Sequence, residues 1–274
     1  MKKKQRRVMV IMLGQRMTFR YNNFIIKFLV RYSENFLLRK ADIILVNSEF
    51  SARVARNRTS NKIEIIVAKP GFELTPSAVE IKRHSDTPTR LLFVGECTKV
   101  KGLIYLIKAM SMMTDIELTL NIAGNYNIES AYYKKIITIV NRYHLNDVVN
   151  FLGFVDSDSL QNLYRKSTIY VMPSLSEGYG KSLAEAMSFG LPAVASNAGA
   201  IPEMVEDKVN AILVEPKNPE ALADGIRQLA RDGELRREMG RANLDKAGTF
   251  PTWDSFSMVL ADQLVPVIKK LLNE

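Results

Sequence analysis

Cysteine and histidine are scarce in this chain, which has one of the first and two of the second among its 274 residues. A single cysteine, Cys97, excludes an internal disulfide and a cysteine-rich metal site, and it fits a reducing cytoplasm. The two histidines, His84 and His144, lie far apart in the sequence and lack the spacing of metal ligands. A zinc centre and a histidine-based catalytic centre are therefore not expected.

Long apolar runs are also absent. No stretch approaches the ~20 consecutive apolar residues that a membrane-spanning helix needs. The chain begins with the basic residues MKKKQRR (1–7) and the apolar VMVIMLG (8–14), an arrangement like the start of a signal peptide. Gln15 and Arg16 end that short run, and no small-residue cleavage site follows. We therefore expect a cytoplasmic protein, with a peripheral position at the inner face of the membrane as the alternative.

The net charge of +9 is concentrated in the first third of the chain. Residues 1–90 hold 19 Lys and Arg against 7 Asp and Glu, a net charge of +12, so the rest of the chain carries −3. Such a basic segment can bind an anionic membrane surface, a nucleic acid or an acidic substrate. No recognisable nucleic-acid-binding module accompanies it, so a nucleic-acid partner is not expected.

Aromatic residues recur at a helical spacing within this basic segment, at Phe24, Phe28, Tyr32 and Phe36. A spacing of four residues puts side chains on one face of a helix. We favour the interpretation that most of these rings face a protein core over the alternative that they dock on a membrane.

Strand-like apolar runs alternate with helix-length segments throughout the chain, which predicts an α/β fold with parallel sheets covered on both faces. The proline-containing polar stretch at 70–89 separates two parts of the chain. We expect a truncated N-terminal α/β unit at 1–75, a linker at 76–89, a complete Rossmann-like domain at 90–250 and a C-terminal helix at 251–274 that packs back on the N-terminal unit. The predicted strands lie at 8–13, 42–48, 62–68, 88–95, 116–123, 148–152, 168–172, 192–196 and 211–214.

Chemistry is concentrated in the segment SLSEGYGKSLAEAMSFGLP, residues 174–192. It reads as a glycine-containing loop that leads from a buried strand into a helix. A helix N-terminus beside glycines suits a phosphate, because its N–H groups are unpaired and carry a partial positive charge. Glu177 and Glu185 can accept hydrogen bonds from sugar hydroxyls, so the segment fits a sugar nucleotide. The alternative is an ordinary turn with two solvated acids.

A longer run of motifs resembles a known family. EGYGKSLAE (177–185) and AMSFGLPAVASNAGAIPEMVEDKVNAILVEP (186–216) look like the C-terminal signature of retaining glycosyltransferases of the GT-B fold, family 4 (group 1). LLFVGECTKVKGLIYLIKAM (91–110) resembles the first strand, loop and helix of that family's nucleotide domain. The resemblance covers about residues 41–260. It implies an α/β fold of the GT-B type, with one complete Rossmann-like parallel-sheet nucleotide domain plus an incomplete N-terminal α/β unit.

The resemblance implies a role for each matching residue. Glu177 would contact the donor sugar near the reacting carbon, and Lys101 would stabilise the leaving diphosphate; these are the two catalytic residues. Glu185 would hold the ribose hydroxyls. Tyr179 could instead be a packing residue, and Lys101 a solvated lysine in a turn. The remaining donor-binding residues line the phosphates, the sugar or the base, and they are Gly95, Phe154, Val155, Gly178, Tyr179 and Gly180.

The implied reaction moves a sugar from a nucleotide-sugar donor to a glycan, a lipid-linked acceptor or a small molecule, with retention of anomeric configuration. Family resemblance implies neither a metal nor a cofactor beyond the donor itself. Glu96 departs from the family pattern, because an arginine that binds the diphosphate often stands at this position. A second departure is the stretch before residue 41, where a full acceptor domain needs more than about forty residues.

The short N-terminal part has two consequences for the prediction. A partner chain is expected to supply the missing domain, unless the gene is truncated or split. The alternative function is then a non-catalytic sugar-nucleotide-binding subunit or fragment that needs a partner chain. We also expect some apolar residues of the C-terminal helix to be exposed, namely Leu260, Leu264, Ile268 and Leu271.

Overall fold

The structure is a computed structural model. It describes residues 8–13, 24–59, 63–72 and 88–273, and of Leu13 and residues 24–31 only the backbone. The strands are β1 (Val10–Leu13), β2 (Ile43–Val46), β3 (Glu64–Val67), β4 (Thr89–Val94), β5 (Leu118–Ala123), β6 (Val149–Gly153), β7 (Ile169–Met172), β8 (Ala193–Ser196) and β9 (Ala211–Val214). The helices are α1 (Phe24–Lys40), α2 (Glu49–Arg56), α3 (Leu103–Met110), α4 (Ala131–Arg142), α5 (Ser157–Lys166), α6 (Lys181–Ser188), α7 (Pro219–Arg231), α8 (Gly233–Ala247), α9 (Trp253–Val259) and α10 (Val265–Asn273).

Three short helical turns complete the elements: 3-10 turns at Lys99–Lys101 and Ile201–Glu203, and a π-helical turn at Leu260–Leu264 between α9 and α10. Every strand predicted from the sequence is present within a few residues of its predicted bounds. Each strand is a short segment rich in apolar residues, so the alternation of such segments with helical patterns is sufficient to locate them. The predicted α/β fold with parallel sheets is therefore confirmed.

The chain divides into two compact units, one made of residues 1–73 and 250–274 and the other of residues 74–249. Most of the predicted linker at 76–89 lies outside the described residues. In the first unit, β1, β2 and β3 form a parallel sheet in that order. One face of this sheet packs against α1 and α2 through Leu38, Ala52 and Ala55.

The C-terminal helices α9 and α10 cover the other face of the three-stranded sheet. Their apolar residues pack against the buried side chains of Ile43, Leu45 and Ile66. The expectation that some of these helical residues would be exposed is wrong, because strands β2 and β3 already present an apolar face for them. The residues concerned are half-buried: Leu260, Leu264, Ile268 and Leu271.

The aromatic face of α1 also differs from the expectation. Tyr32 and Phe36 are 66% and 54% exposed, so they do not face a core. Leu38 is the buried residue of this helix turn, at 1% exposure. Because two residues span about 200° of a helix, the side of Leu38 lies opposite that of Phe36. The side chains of Phe24 and Phe28 lie outside the described residues.

The second unit contains a parallel sheet in the order β6-β5-β4-β7-β8-β9. The strand order reverses between β4 and β7, as in dinucleotide-binding α/β folds. Helices α3, α4 and α7 bury one face of this sheet around Leu106, Ile136 and Ile226. Because parallel crossovers are right-handed, the reversal places α6 on the opposite face, where Leu183 and Met187 are fully buried. The carboxyl ends of β4 and β7 therefore meet at one point.

Gly102 fixes the position of the turn that follows β4. Its φ of +68° lies in the left-handed region, and a Cβ at this residue would lie 1.9 Å from the carbonyl oxygen of Pro173. Gly153 has nearly the same φ, +70°, but a Cβ there would meet nothing closer than a Tyr126 ring carbon at 3.9 Å. The two glycines have nearly the same φ, but only Gly102 lies so close to another backbone segment that a Cβ would collide with it.

Gly102→Ala should therefore lower the free energy of unfolding more than Gly153→Ala does. The left-handed conformation alone should cost about 1–2 kcal/mol in each variant. The collision with Pro173 should bring the loss in Gly102→Ala to about 3 kcal/mol or more. Urea denaturation followed by far-ultraviolet circular dichroism measures both values. Equal losses of stability in the two variants would show that Pro173 and its neighbours can move away from the new methyl group at no cost in free energy.

Candidate active site

Two loops meet where the strand order reverses. The loop after β4 runs through Gly95 to the 3-10 turn Lys99–Lys101, and the loop after β7 runs from Pro173 to Gly180, where α6 begins. The backbone N–H of Leu175 donates to the carbonyl of Val100 at 2.7 Å. This bond joins the two loops, so the side chains that they carry keep a defined separation.

An ion pair lies at the junction of these loops. Lys101 Nζ donates to Glu177 Oε1 at 2.7 Å. The carboxylate side chain is 6% exposed and the lysine side chain 22%, so the pair faces little water. Ser174 Oγ donates to the same carboxylate oxygen, also at 2.7 Å. A buried carboxylate is costly unless it is paired and hydrogen-bonded, and Glu177 has both kinds of partner.

The backbone of Glu177 is held from a third side. A Cβ at Gly199 would lie 2.2 Å from the Glu177 carbonyl oxygen, so only a glycine fits at this position. The next residue, Ala200, donates its N–H to that carbonyl at 3.0 Å. The loop after β8 therefore presses against Glu177, which limits how far this carboxylate can move.

Glu185 lies on α6, with a side chain that is 27% exposed. Its Oε2 accepts a hydrogen bond from the Tyr164 hydroxyl at 2.9 Å, and its Oε1 lies 3.8 Å from Lys181 Nζ. Burial raises the pKa of Tyr164 well above its usual value, with smaller contributions from Tyr170 and Glu185. The phenol therefore stays protonated and acts as a donor that orients the carboxylate.

The start of α6 combines a glycine with a helix N-terminus that no side chain caps. Gly180, with a φ of +97°, precedes the first helical residue, and no side chain caps the helix. Gly178 and Gly180 are buried, and burial raises the pKa of Tyr179 to about 12. Uncapped N–H groups at a helix N-terminus beside glycines can bind a phosphate oxygen. Ser182, in the first turn, accepts from the Tyr170 hydroxyl at 2.8 Å and donates to the carbonyl of Val94 at 3.2 Å.

The other sequence-predicted residues lie at the same edge of the sheet. Gly95 directly follows β4, and the methylene stem of Lys101 lies beside it, since a Cβ at Gly95 would be 3.6 Å from Lys101 Cδ. Phe154 and Val155 follow β6, which β5 separates from β4. Phe154 is 78% exposed and Val155 is half-buried. The structure thus pairs Lys101 with Glu177 and places Gly95 beside the stem of Lys101, while Phe154 and Val155 lie farther along the edge.

Sequence reasoning missed the residues that hold the two carboxylates. Ser174 stands inside the quoted motif, but a serine in a loop gives no sign that its hydroxyl is buried against Glu177. Tyr164 lies at the end of another helix, 21 positions before Glu185, so no local spacing connects the two. Gly102 could have been recognised, because a glycine directly before a helical run often marks a left-handed residue.

Two kinds of feature are missing from the described residues. They contain no group of three or more His, Cys, Asp or Glu side chains that could hold a metal ion. Within the same residues, no helix has the length and apolar character that crossing a membrane requires.

Comparison with known proteins gives consistent matches. The family model for glycosyl transferases group 1 matches residues 76–245. An uncharacterized glycosyltransferase of Methanocaldococcus jannaschii is 36% identical over 152 residues, which are 55% of this chain and 38% of the relative. A D-inositol 3-phosphate glycosyltransferase of Corynebacterium diphtheriae is 27% identical over 238 residues, 81% of this chain and 56% of the relative. The chain thus spans less than two thirds of either relative.

A solved structure of Anabaena HepE in complex with UDP and glucose has the same fold. It superposes with a TM-score of 0.78 at 22% sequence identity, covering 94% of this chain and 72% of that protein. Sucrose-phosphate synthase from Thermosynechococcus elongatus superposes with a TM-score of 0.79 at 20% sequence identity, covering 95% of this chain and 68% of that protein.

Proposed function

Since the chain belongs to the glycosyl transferases group 1 family and has a fold of the GT-B type, we propose that it transfers a sugar from a nucleotide-sugar donor to an acceptor with retention of anomeric configuration. The observation that carries this proposal is the Lys101–Glu177 pair, placed beside the uncapped start of α6 at the reversal of strand order. A cation and backbone amides suit a diphosphate, and carboxylates suit sugar hydroxyls. The HepE structure with UDP and glucose supports this choice of donor.

The diphosphate is assigned to Lys101 and to the amides around Gly178, Tyr179 and Gly180. Gly95 leaves room beneath it, because this residue has no side chain. As the bond between the sugar carbon and the phosphate oxygen breaks, negative charge grows on the diphosphate and the Lys101 cation stabilises it. The acceptor hydroxyl bonds to the same carbon and gives its proton to the departing phosphate. Neither step needs a metal ion.

The sugar and the nucleoside are assigned to the two carboxylates and the edge of the sheet. Glu177 accepts hydrogen bonds from the donor sugar, and Glu185 accepts them from the ribose. Phe154 and Val155 contact the base, for which the exposed ring of Phe154 offers a stacking surface. Glu96, where an arginine often stands in the family, is exposed in the loop after β4 and weakens diphosphate binding by repulsion.

The second candidate function is a sugar-nucleotide-binding subunit that acts only with a partner chain. Strand β1 favours it, because Val10 and Met12 are 38% and 74% exposed. They align with Ile43 and Leu45, which α9 and α10 cover, so the apolar surface continues beyond that cover. A partner that supplies further strands or helices would bury these side chains. Sugar transfer by the purified chain alone would rule this candidate out.

An anionic membrane surface is the second proposed partner. Tyr32 and Phe36 are exposed on α1, and Lys40 Nζ lies 5.9 Å from the centre of the Phe36 ring. An exposed face that combines aromatic rings with cations is typical of helices at a lipid surface. The acceptor would then be lipid-linked, whereas a glycan or small-molecule acceptor needs no membrane.

Phe36→Ser should weaken binding to vesicles of phosphatidylglycerol by about fivefold or more, because the ring no longer enters the lipid. Co-sedimentation at several lipid concentrations measures this effect, with phosphatidylcholine vesicles as the uncharged reference. Met258→Ser, which removes another exposed apolar side chain of the same unit, is the matched control. Equal binding by all three proteins would contradict membrane docking through α1.

The purified chain should bind at least one nucleoside diphosphate in the presence of EDTA. Titration calorimetry with UDP, GDP and ADP measures the dissociation constants. Lys101→Met should weaken this binding by about tenfold or more, since a charge-assisted contact to the phosphate is lost. Lys108→Met, which removes a cation at the far end of α3, should leave the affinity unchanged. A wild-type chain that binds none of the three would contradict the donor site.

Glu185→Ala should lose about 1.5–3 kcal/mol of nucleotide affinity, as expected when hydrogen bonds to a charged group are removed. A 2′-deoxy nucleotide should lose part of the same energy with the wild-type chain and little more with the variant. The same calorimetric titrations provide all four values of this cycle. Full additivity of the two changes would place the ribose away from Glu185.

A further inference from the structure

Two donors of different kinds share one oxygen of Glu177. Lys101 Nζ and Ser174 Oγ both lie 2.7 Å from Oε1. Among the residues that the structure describes, none donates a hydrogen bond to Oε2. A carboxylate has about four acceptor sites on its two oxygens, so the arrangement leaves Oε2 available to a ligand.

The two donors differ in how firmly they are held. Lys101 has a long flexible stem, and its side chain is 22% exposed. Ser174 is 1% exposed and carries its hydroxyl on a single short bond. It also lies one residue before Leu175, whose N–H joins the two loops. The lysine can therefore leave the carboxylate for a ligand, whereas the serine hydroxyl is buried, has only one rotatable bond and is carried by backbone that the junction of the loops holds in place.

A bound diphosphate would compete with Glu177 for Lys101. The phosphate carries more charge than a carboxylate, so the ammonium group should turn toward it when the donor enters. Glu177 would then keep only one of its two hydrogen bonds at Oε1. If Ser174 were absent as well, Glu177 would be a buried carboxylate without a hydrogen-bond partner. That state is costly, and the carboxylate would rotate or bind water instead.

We propose that Ser174 is a positioning residue that keeps Glu177 oriented toward the donor sugar after Lys101 has turned to the diphosphate. The proposal rests on the function proposed above. It gives the two donors separate tasks: the cation follows the leaving group, and the hydroxyl holds Oε1 so that Oε2 faces the sugar. Ser174 itself touches neither substrate.

This role predicts a difference between two ligands. Ser174→Ala should raise the Kd for a sugar nucleotide about tenfold, because Glu177 no longer meets the sugar in a fixed orientation. The Kd for the matching nucleoside diphosphate should change less than about twofold, since that ligand has no sugar for Glu177 to contact. A merely structural role for the serine would alter both constants alike.

Calorimetry with the full chain tests the difference. The ligand pairs are UDP and UDP-glucose, GDP and GDP-mannose, and ADP and ADP-glucose, and the pair used is the one whose diphosphate binds the wild-type chain. Ser167→Ala is the matched control, because Ser167 is also buried and its hydroxyl donates to the Leu163 carbonyl at 2.6 Å. Ser174→Cys replaces Ser174→Ala if the latter does not fold, since a thiol is a similar shape but a weak donor.

The outcomes separate the two proposals. A sugar-specific loss in the Ser174 variant, absent in Ser167→Ala, supports the positioning role. If the Ser174 variant changes the Kd for the sugar nucleotide and the Kd for the nucleoside diphosphate by the same factor, or changes neither, the positioning role is wrong and the proposed nucleotide binding is unaffected. Failure of the wild-type chain to bind any of the three diphosphates overturns the proposed function, and the positioning role with it.

Discussion

The ion pair between Lys101 and Glu177 is the contact on which the site depends. It joins the loop after β4 to the loop after β7, and these strands are adjacent because the strand order reverses between them. A buried carboxylate without its cation would be costly, so the two loops must keep their separation. Two backbone features maintain it: the close approach of Gly102 to Pro173 and the hydrogen bond from Leu175 to Val100. Gly199, in the loop after β8, packs on the backbone of Glu177.

Under the proposed function, the same geometry gives each part of the donor molecule its own set of residues. The cation and the start of α6 form one end of the site, Glu185 lies on the helix beyond, and Phe154 lies at the edge of the sheet. Each carboxylate is supported by a neutral hydroxyl, Ser174 for Glu177 and Tyr164 for Glu185. Neutral donors suit this purpose, because they orient an anion without cancelling the charge with which it binds a ligand.

The sequence was sufficient for the architecture, and it drew attention to the two loops that meet where the strand order reverses. Short apolar strands that alternate with helices specify parallel sheets, and the glycine loop before α6 specifies the left-handed start of that helix. The sequence was insufficient for residues whose role depends on contacts between segments that are distant in the chain. Ser174 and Tyr164 became recognisable only once their hydroxyls were seen against the carboxylates. The spacing of Tyr32 and Phe36 predicted a common face correctly but could not reveal which side of α1 meets the sheet.

The π-helical turn at Leu260–Leu264 changes which side of the C-terminal helix meets the sheet. The residues that meet the sheet recur mostly every fourth position, among them Phe256, Leu260, Leu264 and Ile268. In a regular α-helix each such step advances the side chain about 40° around the axis, so the stripe would wind away from the sheet. The π-helical turn rotates the chain less per residue than an α-helix does, so the apolar residues that follow it face the sheet again. The irregularity thus acts as a correction of phase, which lets α9 and α10 lie against the same sheet without supercoiling.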